Sequence, residues 1–203
     1  MKIKNHLFVS VIAFASLNLN AATFSLDPDS YANGADLTHA IPEVTLLLAT
    51  SADNQTVIPS WYISAHTDSY SSTGGKVFGY LGAFASLWDG RRMRMDFASP
   101  VASVSIDFTS SFNDSGELHI FDSAWNELTP AFYTPSLAAH VSQTMTLSSA
   151  AENIAHAVAY TTSTGFGRLD NLRFSTTVPE PTSGALCGAA VISALLLHKN
   201  KKD

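Results

Sequence analysis

From Arg92 to Phe97 the chain reads Arg-Met-Arg-Met-Asp-Phe, and from Val104 to Phe108 it reads Val-Ser-Ile-Asp-Phe. Only a strand puts every second side chain on one face, so these rows predict strands with one apolar and one polar side. No stretch between Thr23 and Thr177 holds an apolar 3.6-residue period for three turns, which argues against a helical fold. The alternation recurs at Leu118 and Ile120 after Gly116, at Met145 and Leu147, at Val158 and Tyr160, and at Leu172 and Phe174, and Val44 to Thr50 is a further β-rich run. Turn residues separate the rows at Asn33-Gly34, Ser99-Pro100, Asn113-Asp114-Ser115-Gly116 and Thr164-Gly165-Phe166-Gly167. About eight or more short antiparallel strands without helices predict an all-β fold, a two-sheet β-sandwich of jelly-roll type.

Both flanks read differently. Lys2, Lys4 and His6 precede an apolar run from Leu7 to Leu17, and small residues follow at Ala21 and Ala22. That order is the grammar of an export signal, predicted over residues 1–22. Near the other end, Gly184 to Leu197 carries no charge and is followed by His198, Lys199, Lys201 and Lys202. Residues 183–198, with snorkelling lysines, predict a single transmembrane helix whose basic end, 199–203, stays in the cytoplasm. Between domain and span stands Val178-Pro179-Glu180-Pro181-Thr182. Two prolines so close forbid helix and sheet pairing, which predicts an extended, accessible peptide that a processing enzyme can enter. The predicted organisation is therefore a signal peptide at 1–22, a β domain at 23–177 and a tail at 178–203.

Charge narrows the partners. The whole chain has a net charge of −6, and residues 23–177 hold 15 acids against 6 bases, a net of −9. Such a surface repels nucleic acid and anionic lipid and accepts divalent cations and neutral glycans. With 46% apolar and 14% charged residues the chain is not of the disordered class, and one cysteine allows neither an internal disulfide nor a cysteine-cluster zinc site.

Catalytic signatures are missing: there is no Gly-x-Ser-x-Gly, no His-Glu-x-x-His and no phosphate loop. Glu43, Glu117, Glu127 and Glu152 cannot be paired from sequence, so no catalytic residue is assigned and the protein is read as a non-enzyme, with a secreted hydrolase as the weakest alternative. His119 alternates with Leu118 and Ile120 and should face solvent; His156 shares the parity of Ile154, Val158 and Tyr160 and should face the core or a sheet edge. Among the many aromatics, Tyr70 and the Trp88-Asp89 pair sit in loops, where a ring can stack on a sugar and a carboxylate can bind hydroxyls; core filling is the competing reading. Asp170 shares the parity of Leu172 and Phe174, and an inward carboxylate is costly unless paired. It is either a cation ligand or a turn carboxylate bonded to backbone N–H groups.

The C-terminal order of Pro179-Glu180-Pro181, short apolar span and basic end resembles the PEP-CTERM sorting signal of Gram-negative envelope proteins. The resemblance implies Val178 to Thr182 as the sorting motif and an exosortase-type membrane peptidase and the export machinery as partners. It also implies a precursor anchored in the inner membrane and a final place at the cell surface or in the extracellular matrix. From Met93 to Ser175, Phe97-Ala-Ser-Pro100-Val101, Gly116-Glu-Leu-His-Ile-Phe-Asp122, Ala124-Trp-Asn126 and Gly165-Phe-Gly-Arg-Leu-Asp170-Asn171-Leu172-Arg-Phe174 resemble the β-sandwich ectodomains joined to such tails, which are similar to galactose-binding-like modules. Glu43 and Trp125-Asn126 depart from that pattern. The resemblance implies a non-enzymatic envelope or matrix protein, or alternatively a carbohydrate-binding module associated with exopolysaccharide. It implies no cofactor beyond a structural calcium where the first and last strands meet, for which Asp27, Asp29 and Asp170 offer hard oxygen ligands.

Overall fold

A computed structural model describes residues 22–176 except 83, 86, 88, 89 and 163–165. The regular structure of the described residues is strand with almost no helix: β1 (Thr23–Leu26), β2 (Val44–Ala49), β3 (Val57–Thr67), β4 (Lys76–Tyr80), β5 (Arg92–Thr109), β6 (Gly116–Phe121), β7 (Phe132–Tyr133), β8 (Ser142–Ser148), β9 (Ile154–Thr161) and β10 (Arg168–Thr176). The one short helix is a 3-10 turn, Pro28–Ser30, with Asp27 at its N-cap and a proline at its start. The expectations for segments 1–21 and 177–203, with the sorting motif Val178 to Thr182, lie outside the described residues, as do Trp88 and Asp89.

The all-β expectation holds, and all named strand pairs are antiparallel. The two-sheet division does not. The strands form one sheet in the order β1-β10-β4-β3-β2-β5-β9-β6-β7, with β8 on β5 and a further β10–β5 pairing. Following the partners from β2 through β3, β4, β10 and β5 returns to β2, so the sheet closes on itself like a barrel. The cause is β5, a strand of 18 residues. Its first half pairs with β2 and β9, its second half with β8 and β10. Ser99-Pro100, read from sequence as a turn, is instead an exposed bend within this strand, with a register break between Asp96 and Val101. Proline offers no N–H to a ladder, so it sits where the strand changes partners.

Leu46, Leu48, Met93, Met95, Val104, Ile106, Phe108, Leu118, Ile120, Met145, Leu172 and Phe174 are all buried and belong to one core. Each comes from the apolar side of its alternation. β9 breaks the expected parity. Ala157 and Ala159 face the core, flanked in register by Met93 and Met95 on β5 and by Leu118 and Ile120 on β6. Large neighbours on both sides leave room for a methyl group and little more. His156, Val158 and Tyr160 therefore lie on the outer face, not toward the core.

β10 contains the second parity break. Asn171 has φ +48°, and the β10–β5 register shifts between Asp170 and Arg173. Leu169 and Leu172 both reach the core across this bulge. Asp170 instead lies opposite Asp107, away from it.

Candidate ligand-binding pocket

Asp170 is fully buried all the same, because a strap covers it. The strap is the loop between β3 and β4, from Asp68 to Gly75, and carboxylates grip it along its length. One oxygen of Asp170 accepts the N–H groups of Ser72 (2.9 Å) and Thr73 (3.2 Å) and the Ser72 hydroxyl (2.8 Å); the other accepts the N–H of Asn171 at 2.8 Å. Burial pushes this carboxyl above its ordinary value, and the donors from Ser72, Thr73 and Asn171 pull it the other way. Asp29 accepts the N–H groups of Gly75 (2.8 Å) and Lys76 (2.9 Å). Asp68 accepts the N–H of Tyr70 at 2.8 Å and, through its other oxygen, the Nε of Arg168 at 2.8 Å. Gly74 is the tight point: its φ is +51°, and a Cβ there would fall 2.0 Å from an Asp29 oxygen.

The strap holds Tyr70 at one end of the barrel. The Tyr70 ring stacks on His140 at 4.3 Å between centroids, and the Arg168 guanidinium lies 5.8 Å from it. Two further loops meet there. Asp114, buried, accepts the N–H groups of Ser111 (3.3 Å) and Phe112 (3.0 Å), which turns the chain after β5. The Ser111 hydroxyl donates to the carbonyl of Phe166 and so ties this turn to the segment before β10. Gly167 lets that segment press on the core, since a Cβ there would stand 2.3 Å from the Phe108 ring. Phe166 consequently points outward.

Tyr70, Ser111, Phe112, Phe166 and Arg168 together line a cavity of about 380 Å³. Two of its walls are large apolar rings left in water: Phe112 is 78% exposed and Phe166 is 54% exposed. The cavity thus combines bare aromatic faces with a fixed polar edge. Exposed apolar side chains meeting in a concave site mark ligand or partner binding more often than chance exposure does.

Tyr70, singled out by sequence, lies in this cavity; Phe112 and Phe166 were not singled out. Each lies in or beside a turn signal, Phe112 directly before Asn113-Asp114 and Phe166 between two glycines, and a ring held in such a turn is the mark that identifies it. The three aspartates assigned to calcium divide. Asp29 and Asp170 come to the same strap, both reaching Thr73, at its hydroxyl (3.4 Å) and its N–H (3.2 Å). Asp27 stands apart, accepting the N–H of Asp29 at 2.8 Å. These oxygens hold protein N–H and O–H groups, which is the turn-carboxylate reading, and among the described residues no group of three or more His, Cys, Asp or Glu is arranged for a metal ion.

The outer face of β5, β9 and β6 is a second feature that alternation alone does not reveal. His119 points outward as expected, but it is not solvated. Its Nδ1 meets Glu127 at 2.8 Å and its Nε2 meets Glu117 at 3.0 Å, while its ring lies parallel to those of Phe121 and Tyr160. Arg94 and His156 both bond Asp96. Trp125 lies over this pair, 4.2 Å from the His156 ring and 4.6 Å from the Arg94 guanidinium. It is turned back by Asp122, whose carboxyl the side-chain and backbone donors of Asn126 hold below its ordinary value. Beneath this layer Val158 is fully buried. These side chains bond and stack on one another, so the face reads as a second packing layer.

No known protein family matches this sequence. No curated protein matches it either. Among solved structures it is similar to the K2 cleaved adhesin domain of Lys-gingipain, at 13% identity and a TM-score of 0.45, over 75% of this chain and 99% of that one. It is also similar to a family 35 carbohydrate binding module from Clostridium thermocellum, at 12% identity and a TM-score of 0.31, over 66% of this chain and 99% of that one. A third similarity is to the enzymatically active domain of bacteriophage CBA120 tailspike protein 4, at 9% identity and a TM-score of 0.31; it covers 71% of this chain and 20% of that one.

Proposed function

We propose that the β domain is a non-enzymatic carbohydrate-binding module, carried to the cell surface or extracellular matrix by an export signal and a PEP-CTERM tail that an exosortase-type peptidase processes. The observation that carries the binding reading is the pair of exposed rings, Phe112 and Phe166, that line one cavity together with Arg168. Apolar ring faces stack on the C–H faces of sugars, and the polar edge offers hydrogen bonds to hydroxyls. The position of the cavity agrees with display. β10 begins beside it at Arg168 and ends at Thr176, roughly 26 Å away at 3.3 Å per residue. Thr176 pairs there with Ala22, so the described chain enters and leaves at the end opposite the cavity. An exopolysaccharide is the ligand source that fits an envelope location. A glycan array probed with the exported protein tests this reading: selective binding supports it, and a blank array removes it.

A further inference from the structure

Among the described residues the cavity is lined by a single cation, and that cation is already compensated. Arg168 is the only one of the lining residues that carries a positive charge. Its Nε is bonded to Asp68 at 2.8 Å, and both side chains are largely shielded from water, at 13% and 12% exposure. Its Nη1 is turned toward the carbonyl oxygens of Phe166 (2.6 Å) and Gly167 (3.4 Å). One nitrogen of each edge of the guanidinium that could form a two-pronged bond to a carboxylate is thus already bonded to the protein. Around it the domain carries a net charge of −9 over residues 23–177. The remaining lining groups are two hydroxyls, of Ser111 and Tyr70, and three aromatic rings, none of which carries a charge to compensate a negative one.

Resting on the glycan reading of this cavity, we infer that it selects uncharged sugars over uronic and other anionic ones, and that Asp68 is the residue that sets the selection by neutralising Arg168. An anionic sugar entering here meets an acidic domain and a cation whose charge Asp68 already offsets, so its carboxylate loses water without gaining an uncompensated positive charge. A neutral sugar meets the same rings and hydroxyl acceptors at no such cost. The same aspartate bonds the Tyr70 N–H, so the group that sets selectivity also fixes one wall of the cavity.

Matched trisaccharides that differ only at C6, hydroxymethyl against carboxylate, in the galacto, gluco and manno series, are titrated into the full-length protein by calorimetry at low and high sodium chloride. The neutral member of at least one pair should bind at least about tenfold tighter than its uronate. That ratio should shrink as salt rises, because screening relieves the repulsion. Asp68→Asn keeps an oxygen for the Tyr70 N–H and frees the guanidinium, so it should shrink the ratio at low salt. Arg168→Gln leaves Asp68 uncompensated and should widen it. A uronate that binds as tightly as its neutral partner overturns the inference and leaves the glycan reading standing. So does a ratio that neither salt nor Asp68→Asn changes. Failure of every sugar in both forms to bind removes both. The salt dependence of the unsubstituted protein decides the matter even where a variant does not fold.

Discussion

Asp170 on β10 and Asp107 on β5 are register partners, and both reach the hydroxyl of Ser72, at 2.8 and 3.1 Å. One hydroxyl carries one proton, so it can donate to only one of them. Asp107 has other support, from Arg173 at 3.2 Å, the Asn171 amide at 3.1 Å and the Thr144 hydroxyl at 2.6 Å. The described partners of Asp170 are neutral N–H and O–H groups, and burial raises its carboxyl above the ordinary value.

The pH dependence follows from that direction. A carboxyl that binds its proton more tightly in the folded state contributes stability that is complete below the unfolded value and lost as pH rises through the folded one. Asp170→Asn has no such proton. The melting temperature of the unsubstituted protein, measured relative to Asp170→Asn, should therefore fall as pH rises from about 4 toward neutrality. Scanning calorimetry across that range checks it, and a difference that grows with pH contradicts the assignment.

Gly74 is the residue the strap can least exchange. Gly74→Ala places a methyl group against the Asp29 carboxylate at a positive φ, and should cost about 1–3 kcal/mol in urea denaturation. Gly75, around which no heavy atom comes within 4 Å of an added Cβ, should tolerate alanine far better. Equal effects at the two positions would mean that Asp29 does not hold the strap as described.

Trp125 roofs the outer layer over Val158. Trp125→Ala should destabilise the domain by about 1–3 kcal/mol through lost apolar cover and lost stacking on His156 and Arg94. Chemical denaturation followed by circular dichroism measures this, and a neutral substitution would show the indole to be an idle surface ring.

How much of this was legible in the sequence varies by element. Alternation located the strands around Met93, Ile106, Ile120 and Met145, because these pack one face against a core and expose the other. It misplaced Val158 and Asp170, each for a physical reason. β9 is flanked by large side chains on both neighbours, so its alanines turn inward, and a bulge at Asn171 resets the parity of β10. Ser99-Pro100 carries a turn signature, yet the strand merely bends, since proline is equally suited to a strand that changes partners. Tyr70 was visible as a loop aromatic. Phe112 and Phe166 were not, because a turn signal shows where the chain reverses but not that a ring is left bare there, and the seating of Gly167 on Phe108 spans 59 residues of sequence.

The sorting proposal has its own test. In a host with an exosortase, Glu180→Ala should leave the longer, membrane-bound form of the protein on an immunoblot of fractionated cells, because the acidic residue between the two prolines is what the peptidase would recognise. Normal release of the variant would remove the motif from the account.

The central claim is that a sugar stacks on Phe112 and Phe166, and the most direct measurement is the affinity of the single and double alanine variants for a glycan that the unsubstituted protein binds. Both rings are exposed, so melting should stay within about 2 °C of the parent, as surface substitutions do. Each single variant should lose about fivefold or more in affinity, and the double variant should show no measurable binding. Full affinity in the double variant would place the ligand elsewhere and contradict the assignment of this cavity.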